Sequence, residues 1–326
     1  MVELAELRDF SARIGADPLL VQAAGGNTSL KADGVMWIKA SGTWLKHAAS
    51  REIMAPVNLP ALLDAISRDD PACETCQDFV RSDLNASGLR PSIETTVHAL
   101  MPQRVVAHVH CVNTIAWAIQ QNSREALPAL LAKFNWAYVP YARPGRPLAK
   151  TISQVLRPGV NVLVLENHGL AVAANSVADT ERLLGEVVAR LVRPVRPALP
   201  ADLDSLAEHA DGSGYEPARD LETHALATDP VAQAKAYRDV FYPDHVVFVG
   251  VGVPTAPGIG PAYVVPGKGV FIRKDAKPAV EPMIRCLADV MRRIAPDDQL
   301  RALTADDIDK LANWDAEKYR QTLKIP

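Results

Sequence analysis

Apolar residues recur at helical spacing near the start of the chain. Leu4, Leu7, Phe10 and Ile14 lie three and four positions apart and predict a helix over 2–14. Asp17-Pro18 predicts a short helical restart to Gln22, closed by Gly25-Gly26. Residues 27–31 and 35–39 read as strands of a hairpin turning at Asp33-Gly34, and residues 40–43 as another turn. Leu59, Leu62, Leu63 and Ile66 share one helix face over 57–68, and the Asp-, Ser-, Pro- and Gly-rich stretch 69–91 reads as loop. Pro91-Ser92 predicts a helix start, with Ser92 as its cap and the helix running to Leu100. The β-branched run 105–110 predicts a strand. Helices follow over 112–121 and 124–133, a strand over 138–141 and a helix over 147–156. Strands over 160–165 and 170–173 flank an Asn167-His168-Gly169 turn, and a strongly periodic helix covers 177–192.

The composition then shifts. Residues 194–219 hold three prolines before 201 and then acidic and Gly/Ser-rich stretches, so 1–195 reads as one domain and 196–219 as a linker. Residues 220–326 read as a C-terminal α/β extension, with strands near 245–251 and 262–273 and helices near 278–294 and 304–322. A degenerate repeat would lay 105–110 on 246–251 and 169–193 on 269–293, matching Gly169 to Gly269, Glu181 to Glu281 and Arg193 to Arg293. Lys268 then stands opposite His168, so the second copy would lack the histidines.

Composition narrows the class. In 326 residues, 48% are hydrophobic, 22% are charged and the formal balance is −3, which excludes disorder of the whole chain. No basic stripe points to nucleic acid, and no apolar run is long enough for a transmembrane helix, so neither partner is expected. The acidic opening has no signal-peptide pattern, and four cysteines are too few for a disulfide scaffold; a cytoplasmic setting is the expectation.

Three of the eight histidines have settings that carry chemistry. His108 and His110 are two apart in a predicted strand, so both imidazoles point to one face and can reach one ion. His168 ends another apolar strand. Three imidazoles with an open position make a catalytic zinc site, and Glu94, on the helix opened by Ser92, would serve as proton carrier or fourth ligand. Taken singly, each has a blander reading: a chance strand pair, a turn histidine, a solvated glutamate.

The order and spacing of Gly25-Gly26-Asn27-Thr28-Ser29, Ala40-Ser41-Gly42, Pro91-Ser92-Ile93-Glu94, Val106-Ala107-His108-Val109-His110 and Glu166-Asn167-His168-Gly169 change that balance. Over residues 5–193 the chain resembles the class II aldolase/adducin family, the sugar-phosphate aldolases typified by L-fuculose-1-phosphate aldolase. The segments 23–31 and 37–45 and the tail 313–320 look closest to the aldolase half of bifunctional rhamnulose-1-phosphate aldolase/dehydrogenases. The resemblance implies a three-layer α/β/α fold with a central, mainly antiparallel sheet. It implies His108, His110 and His168 as ligands of Zn²⁺ or another divalent ion, and Glu94 as catalytic acid/base. Gly26, Asn27, Ser41, Gly42 and Ser92 would hold the substrate phosphate. It further implies a homo-oligomer acting on a small sugar or sugar phosphate, by a lyase reaction through a metal-stabilised enediolate. One departure stands out: Ile93 occupies a place where phosphate-binding members often carry a second hydroxyl, so phosphorylation of the substrate stays open. Pentulose-phosphate 4-epimerisation or keto-acid decarboxylation at the same site, and a non-catalytic adducin-like interaction module, are the alternatives.

Other residues have readings of their own. His98, four after Glu94, reads as structural, Tyr141 as a half-buried aromatic in preference to a proton donor, and Cys73-Glu74-Thr75-Cys76 as incidental. Lys46, His47, Arg292 and Arg293 read as surface positions.

Overall fold

The computed structural model describes residues 2–210, 212–258 and 260–322. Helix α1 (Val2–Ala16) buries Leu7, Phe10 and Ile14 as its periodicity requires. The expected helical restart after it is a single turn, in which the Asp17 carbonyl accepts from Leu20 and Val21 and Asp17 Oδ1 accepts from Leu19 N–H at 2.8 Å. The side-chain bond competes with helix continuation. Strands β1 (Asn27–Ala32) and β2 (Val35–Lys39) form the expected hairpin, with Asp33 and Gly34 both at positive φ, the pair of left-handed residues that a two-residue turn needs. Strand β3 (Met54–Asn58) leads into α2 (Leu59–Ser67), where Asn58 Oδ1 accepts the Ala61 N–H at 3.2 Å. Then come α3 (Thr95–Leu100), β4 (Val105–Val109), α4 (Val112–Ala118), α5 (Ser123–Leu131) and β5 (Trp136–Val139). The half closes with α6 (Arg146–Val155), β6 (Val162–Leu165), β7 (Gly169–Ala174) and α7 (Val177–Arg190).

The seven strands form one sheet in the order β3-β2-β1-β4-β7-β6-β5. Every pair is antiparallel except β5 with β6. The alternation of β4 divides two cores. Val105, Ala107 and Val109 face α1, α5 and α7, packing with Leu7, Phe10, Leu127, Leu131, Leu184 and Val187. Val106 faces the other way, toward Val97 of α3 and Leu148 and Ile152 of α6. The result is a three-layer α/β/α fold, as expected.

The rest of the chain is mixed α/β: α8 (Leu203–Ala210), β8 (Tyr215–Pro217), α9 (Ala225–Thr228), α10 (Pro230–Ala236), α11 (Pro243–Phe248), β9 (Ala262–Val265), β10 (Gly269–Arg273), α12 (Val280–Met291), α13 (Ala305–Ala312) and α14 (Asp315–Thr322). Strands β8, β10 and β9 form a small antiparallel sheet. The segment 196–219 therefore contains a helix and a strand registered on β10, Tyr215 opposite Arg273. The strand expected near 245–251 is the helix α11. A short apolar run gives no periodicity to separate a strand from a buried helix, and Pro243 at the first turn presets helical φ. The pairing of 105–110 with 246–251 thus sets a strand against a helix. The hairpin–helix β6-β7-α7 does recur 100 positions later as β9-β10-α12, though in a different sheet.

Helix α4 joins the two parts. Ala118 belongs to the core under the large sheet, while Val112, Ile115, Ala116 and Ile119 pack with Ile284, Leu287, Val290 and Met291 of α12. A polar clasp closes this contact. Asn113 Oδ1 accepts from Arg193 N–H and from Arg293 Nε, each at 3.0 Å, and Arg193 Nε donates to the Arg293 carbonyl at 2.7 Å. Arg293, expected at the surface, is buried for this reason, and Arg292 donates to the Arg196 carbonyl at 3.0 Å. Asn113→Ala would leave two buried donors without their acceptor and lower stability by about 2–4 kcal/mol. The check is the denaturant midpoint against wild type; an unchanged midpoint would show that the clasp contributes nothing.

Candidate metal centre

The alternation that sends Val106 toward α3 sends His108 the same way, and His110 follows just past the end of β4. His168 arrives from the β6–β7 turn. Asn167 before it has a left-handed backbone (φ 54°), which asparagine tolerates better than most residues. Its amide nitrogen donates to the carbonyls of Phe241 (2.8 Å) and Arg301 (2.7 Å). The Glu166 carboxylate accepts from the Tyr141 N–H at 2.7 Å and lies 3.0 Å from Arg301.

Glu94 comes from the other side. The helix expected to open at Ser92 starts at Thr95, because Ser92 turns its oxygens to other work. Its Oγ accepts from the Glu94 N–H (3.2 Å) and its carbonyl from Thr95 Oγ1 (2.6 Å). Glu94 is therefore the residue before the helix, and its side chain is aimed at the sheet. Asn27 Nδ2 holds Glu94 Oε2 at 2.8 Å and Ser92 Oγ at 3.2 Å. His98 fixes which way that amide points: its Nε2 meets Asn27 Oδ1, and its Nδ1 lies 2.8 Å from Ser29 Oγ. The structural reading of His98 is what the structure contains.

The four side chains converge. One ligand atom from each of Glu94, His108, His110 and His168 lies within 4.8 Å of the others, and all four residues are buried. His108 Nε2 is 3.3 Å from Glu94 Oε2, His168 Nε2 is 3.3 Å from Glu94 Oε1, and the Nε2 atoms of His108 and His110 are 3.2 Å apart. His108 Nδ1 faces the Leu170 carbonyl at 3.0 Å, and an acceptor there puts the proton on Nδ1. His110 Nδ1 lies 3.0 Å from Asp244 Oδ2, an ion-pair distance, and a carboxylate at that place favours the proton on Nδ1. The inward Nε2 atoms therefore carry lone pairs and point, with a carboxylate, at one small volume. Acceptors so placed repel one another unless they share a cation, and the set of three imidazoles and one carboxylate suits a divalent ion such as zinc.

Protonation agrees with that geometry. Burial lowers His108, and lowers His168 to about 3. Burial alone would raise Glu94, but the surrounding imidazoles and the Asn27 amide outweigh it and lower the carboxyl to about 2. Neutral imidazoles and an ionised carboxylate are the forms that bind metal.

Glycines make room. A Cβ on Gly26 would come within 2.9 Å of the His108 carbonyl, and one on Gly169 within 2.5 Å of the Val109 carbonyl. Lys39 Nζ braces the Gly25-Gly26 turn by donating to the Ala24 (2.7 Å) and Gly26 (2.8 Å) carbonyls. Gly26, Asn27, Ser41, Gly42 and Ser92 all line the cavity above Glu94, His110 and His168, with Ile93 beside them. Among the wall residues that sequence reasoning missed are Lys39, Asp244 of α11 and Glu317 of α14. The two acids come from distant segments with no spacing relation to the histidines, so no local signal marks them. Tyr141 does not line the cavity; its hydroxyl is buried, and its ring packs in the cluster of Val240, Val246, Leu303 and Leu311. Cys73 and Cys76 are buried free thiols away from the cluster. Lys46 lies over the Trp44 ring, outside the cavity, as does His47.

The sequence model of the class II aldolase and adducin N-terminal domain matches residues 7–191. Among solved structures, the N-terminal class II aldolase domain of a conserved protein from Thermoplasma acidophilum is similar at 25% identity and a TM-score of 0.50, over 57% of this chain and 90% of that one. Among curated proteins, the uncharacterized oxidoreductase YuxG of Bacillus subtilis is 31% identical over 170 residues, which is 48% of this chain. The match spans 24% of that relative's length.

A pH dependence follows. His168 at about 3 and His245, lowered by burial to about 4, refuse protons that the unfolded chain takes near 6.5. The unfolded state binds more protons across that window, so stability is present above 6.5 and is lost as pH falls toward 3. Glu94 acts in the same direction below its ordinary 4.5. The thermal midpoint of metal-free protein should decline from pH 6.5 to 4, and less steeply in His168→Gln; equal slopes would contradict the assignment.

Proposed function

Because the chain belongs to the class II aldolase and adducin family, we propose that it is a metal-dependent aldehyde-lyase that cleaves or forms a C–C bond in a ketose or ketose phosphate, with zinc as the ion. The observation that carries this reading is the buried convergence of Glu94, His108, His110 and His168 at the floor of a cavity whose walls are backbone amides, hydroxyls and carboxylates. His108, His110 and His168 would hold the ion through Nε2, with Glu94 at the same centre. Bound there, a divalent ion supplies Lewis-acid stabilisation of the negative charge that C–C cleavage leaves on the substrate oxygens.

The chain's own residues do the rest. Glu94 moves the proton to or from the substrate carbon through a carboxylate oxygen, its orientation fixed by Asn27 and by the Ser92 bond to its backbone. Gly26, Ser41, Gly42 and Ser92 present amides and hydroxyls to the far end of the sugar, and glycine at 26 and 42 lets the backbone come close. Asn27 spans the two halves, since it lines the cavity while holding Glu94. Pro243 and Glu317 line the same cavity and would narrow the access of water to the reacting carbon. A homo-oligomer in the cytoplasm is part of the same proposal.

The test is metal analysis of purified protein followed by product analysis with a panel of ketoses and ketose 1-phosphates. Stoichiometric divalent ion and release of an aldehyde are expected. An epimer or CO₂ as product would move the assignment to another reaction of the same centre, and absence of bound ion would favour an interaction module. His110→Ala is expected to lose ion and activity together. Glu94→Gln is expected to keep the fold and lose about 100- to 10,000-fold in turnover; full activity would remove the carboxylate from the chemistry.

A further inference from the structure

We propose that Asp244 is a positioning residue for the metal centre, supplied by the C-terminal segment, and that it orients His110 so that Nε2 faces the ion. The inference rests on the metal-centre reading above. Asp244 Oδ2 lies 3.0 Å from His110 Nδ1, and both side chains are buried. A carboxylate at that distance favours the tautomer with the proton on Nδ1 and raises the donor strength of Nε2. His108 receives the same service from the Leu170 carbonyl. His110 lies beyond the end of β4, and among the described residues no carbonyl is hydrogen-bonded to its Nδ1; the acidic group beside it comes from α11.

A second, independent observation is the glycine beneath the pair. A Cβ on Gly25 would sit 2.7 Å from His110 Nδ1 and 2.8 Å from Asp244 Oδ2. Only a residue without a side chain leaves room for the carboxylate and the ring to meet. A third lies three residues before Asp244, where the Phe241 carbonyl holds Asn167 and through it the turn that carries His168. The stretch 241–244 therefore buttresses two of the three imidazoles. It lies outside residues 7–191, the region matched by the family. The centre of this protein is thus finished by chain that the family domain does not include.

The experiment uses the full chain, with Zn²⁺ affinity measured by competition against a chromogenic chelator, the electronic spectrum of the Co²⁺-loaded protein, and the thermal midpoint of the metal-free protein. Asp244→Asn keeps the shape and removes the charge. It is expected to weaken Zn²⁺ binding about 10- to 100-fold and to shift the Co²⁺ ligand-field bands, with the metal-free midpoint unchanged. Gly25→Ala, which leaves every ligand in place, is expected to shift the same bands. Unchanged affinity and spectrum in Asp244→Asn would overturn the inference. So would a loss of affinity matched by a fall in the metal-free midpoint, because Asp244 would then only dock α11. Wild-type protein that binds neither Zn²⁺ nor Co²⁺ would overturn the metal centre itself, an outcome distinct from an indifferent Asp244→Asn.

Discussion

Lone pairs do not gather in a dry place without something to share. Three imidazole nitrogens and a carboxylate aimed at one point repel one another, and burial removes the water that would separate them. The surrounding structure overrides that repulsion by fixing each group from behind: His108 from the Leu170 carbonyl, His110 from Asp244, Glu94 from Asn27 and His98. His168 is the exception. Its Nδ1 is buried with no hydrogen-bond partner among the described residues, and the ring is placed by the backbone of its turn. The order of the strands serves this constraint. Strand β4 lies at the centre of the sheet between β1 and β7, so the two histidines from its end, Asn27 at the start of β1 and His168 just before β7 meet at one edge.

The C-terminal segment is part of this framework. Its helix α11 walls the cavity with Pro243 and Asp244, and α14 contributes Glu317. The Phe241 and Arg301 carbonyls hold Asn167 from two further directions. A turn that would otherwise depend on one left-handed residue is anchored at three points in the sequence.

Much of this was legible in advance, for reasons specific to each element. The two-residue period of 106, 108 and 110 placed both imidazoles on one face, and the Asn-His-Gly sequence marked a tight turn next to a buried strand. Gly26, Asn27, Ser41, Gly42 and Ser92 were legible as part of the wall because their order along the chain is that of the family. Several of the illegible parts depend on contacts between distant segments, and others on local chemistry that periodicity does not report. Val246-Val247-Phe248 reads as a strand until Pro243 and its surroundings set a helix, Arg293 reads as surface until Asn113 faces it, and Asp244 has no relation in sequence to the ring it meets. The helix begins two to three residues later than Ser92 predicts, because the Ser92 oxygens serve Glu94, Asn27 and Thr95.

Helix α4 has an apolar face on each side, one under the sheet and one under α12. Such a helix belongs to neither part alone. A fragment ending near residue 193 would carry a greasy ridge of Val112, Ile115 and Ile119 into water and would also lose the cover over its ligands. A chain cut at the family boundary should therefore aggregate in solution, and residue 193 is a poor place to divide it.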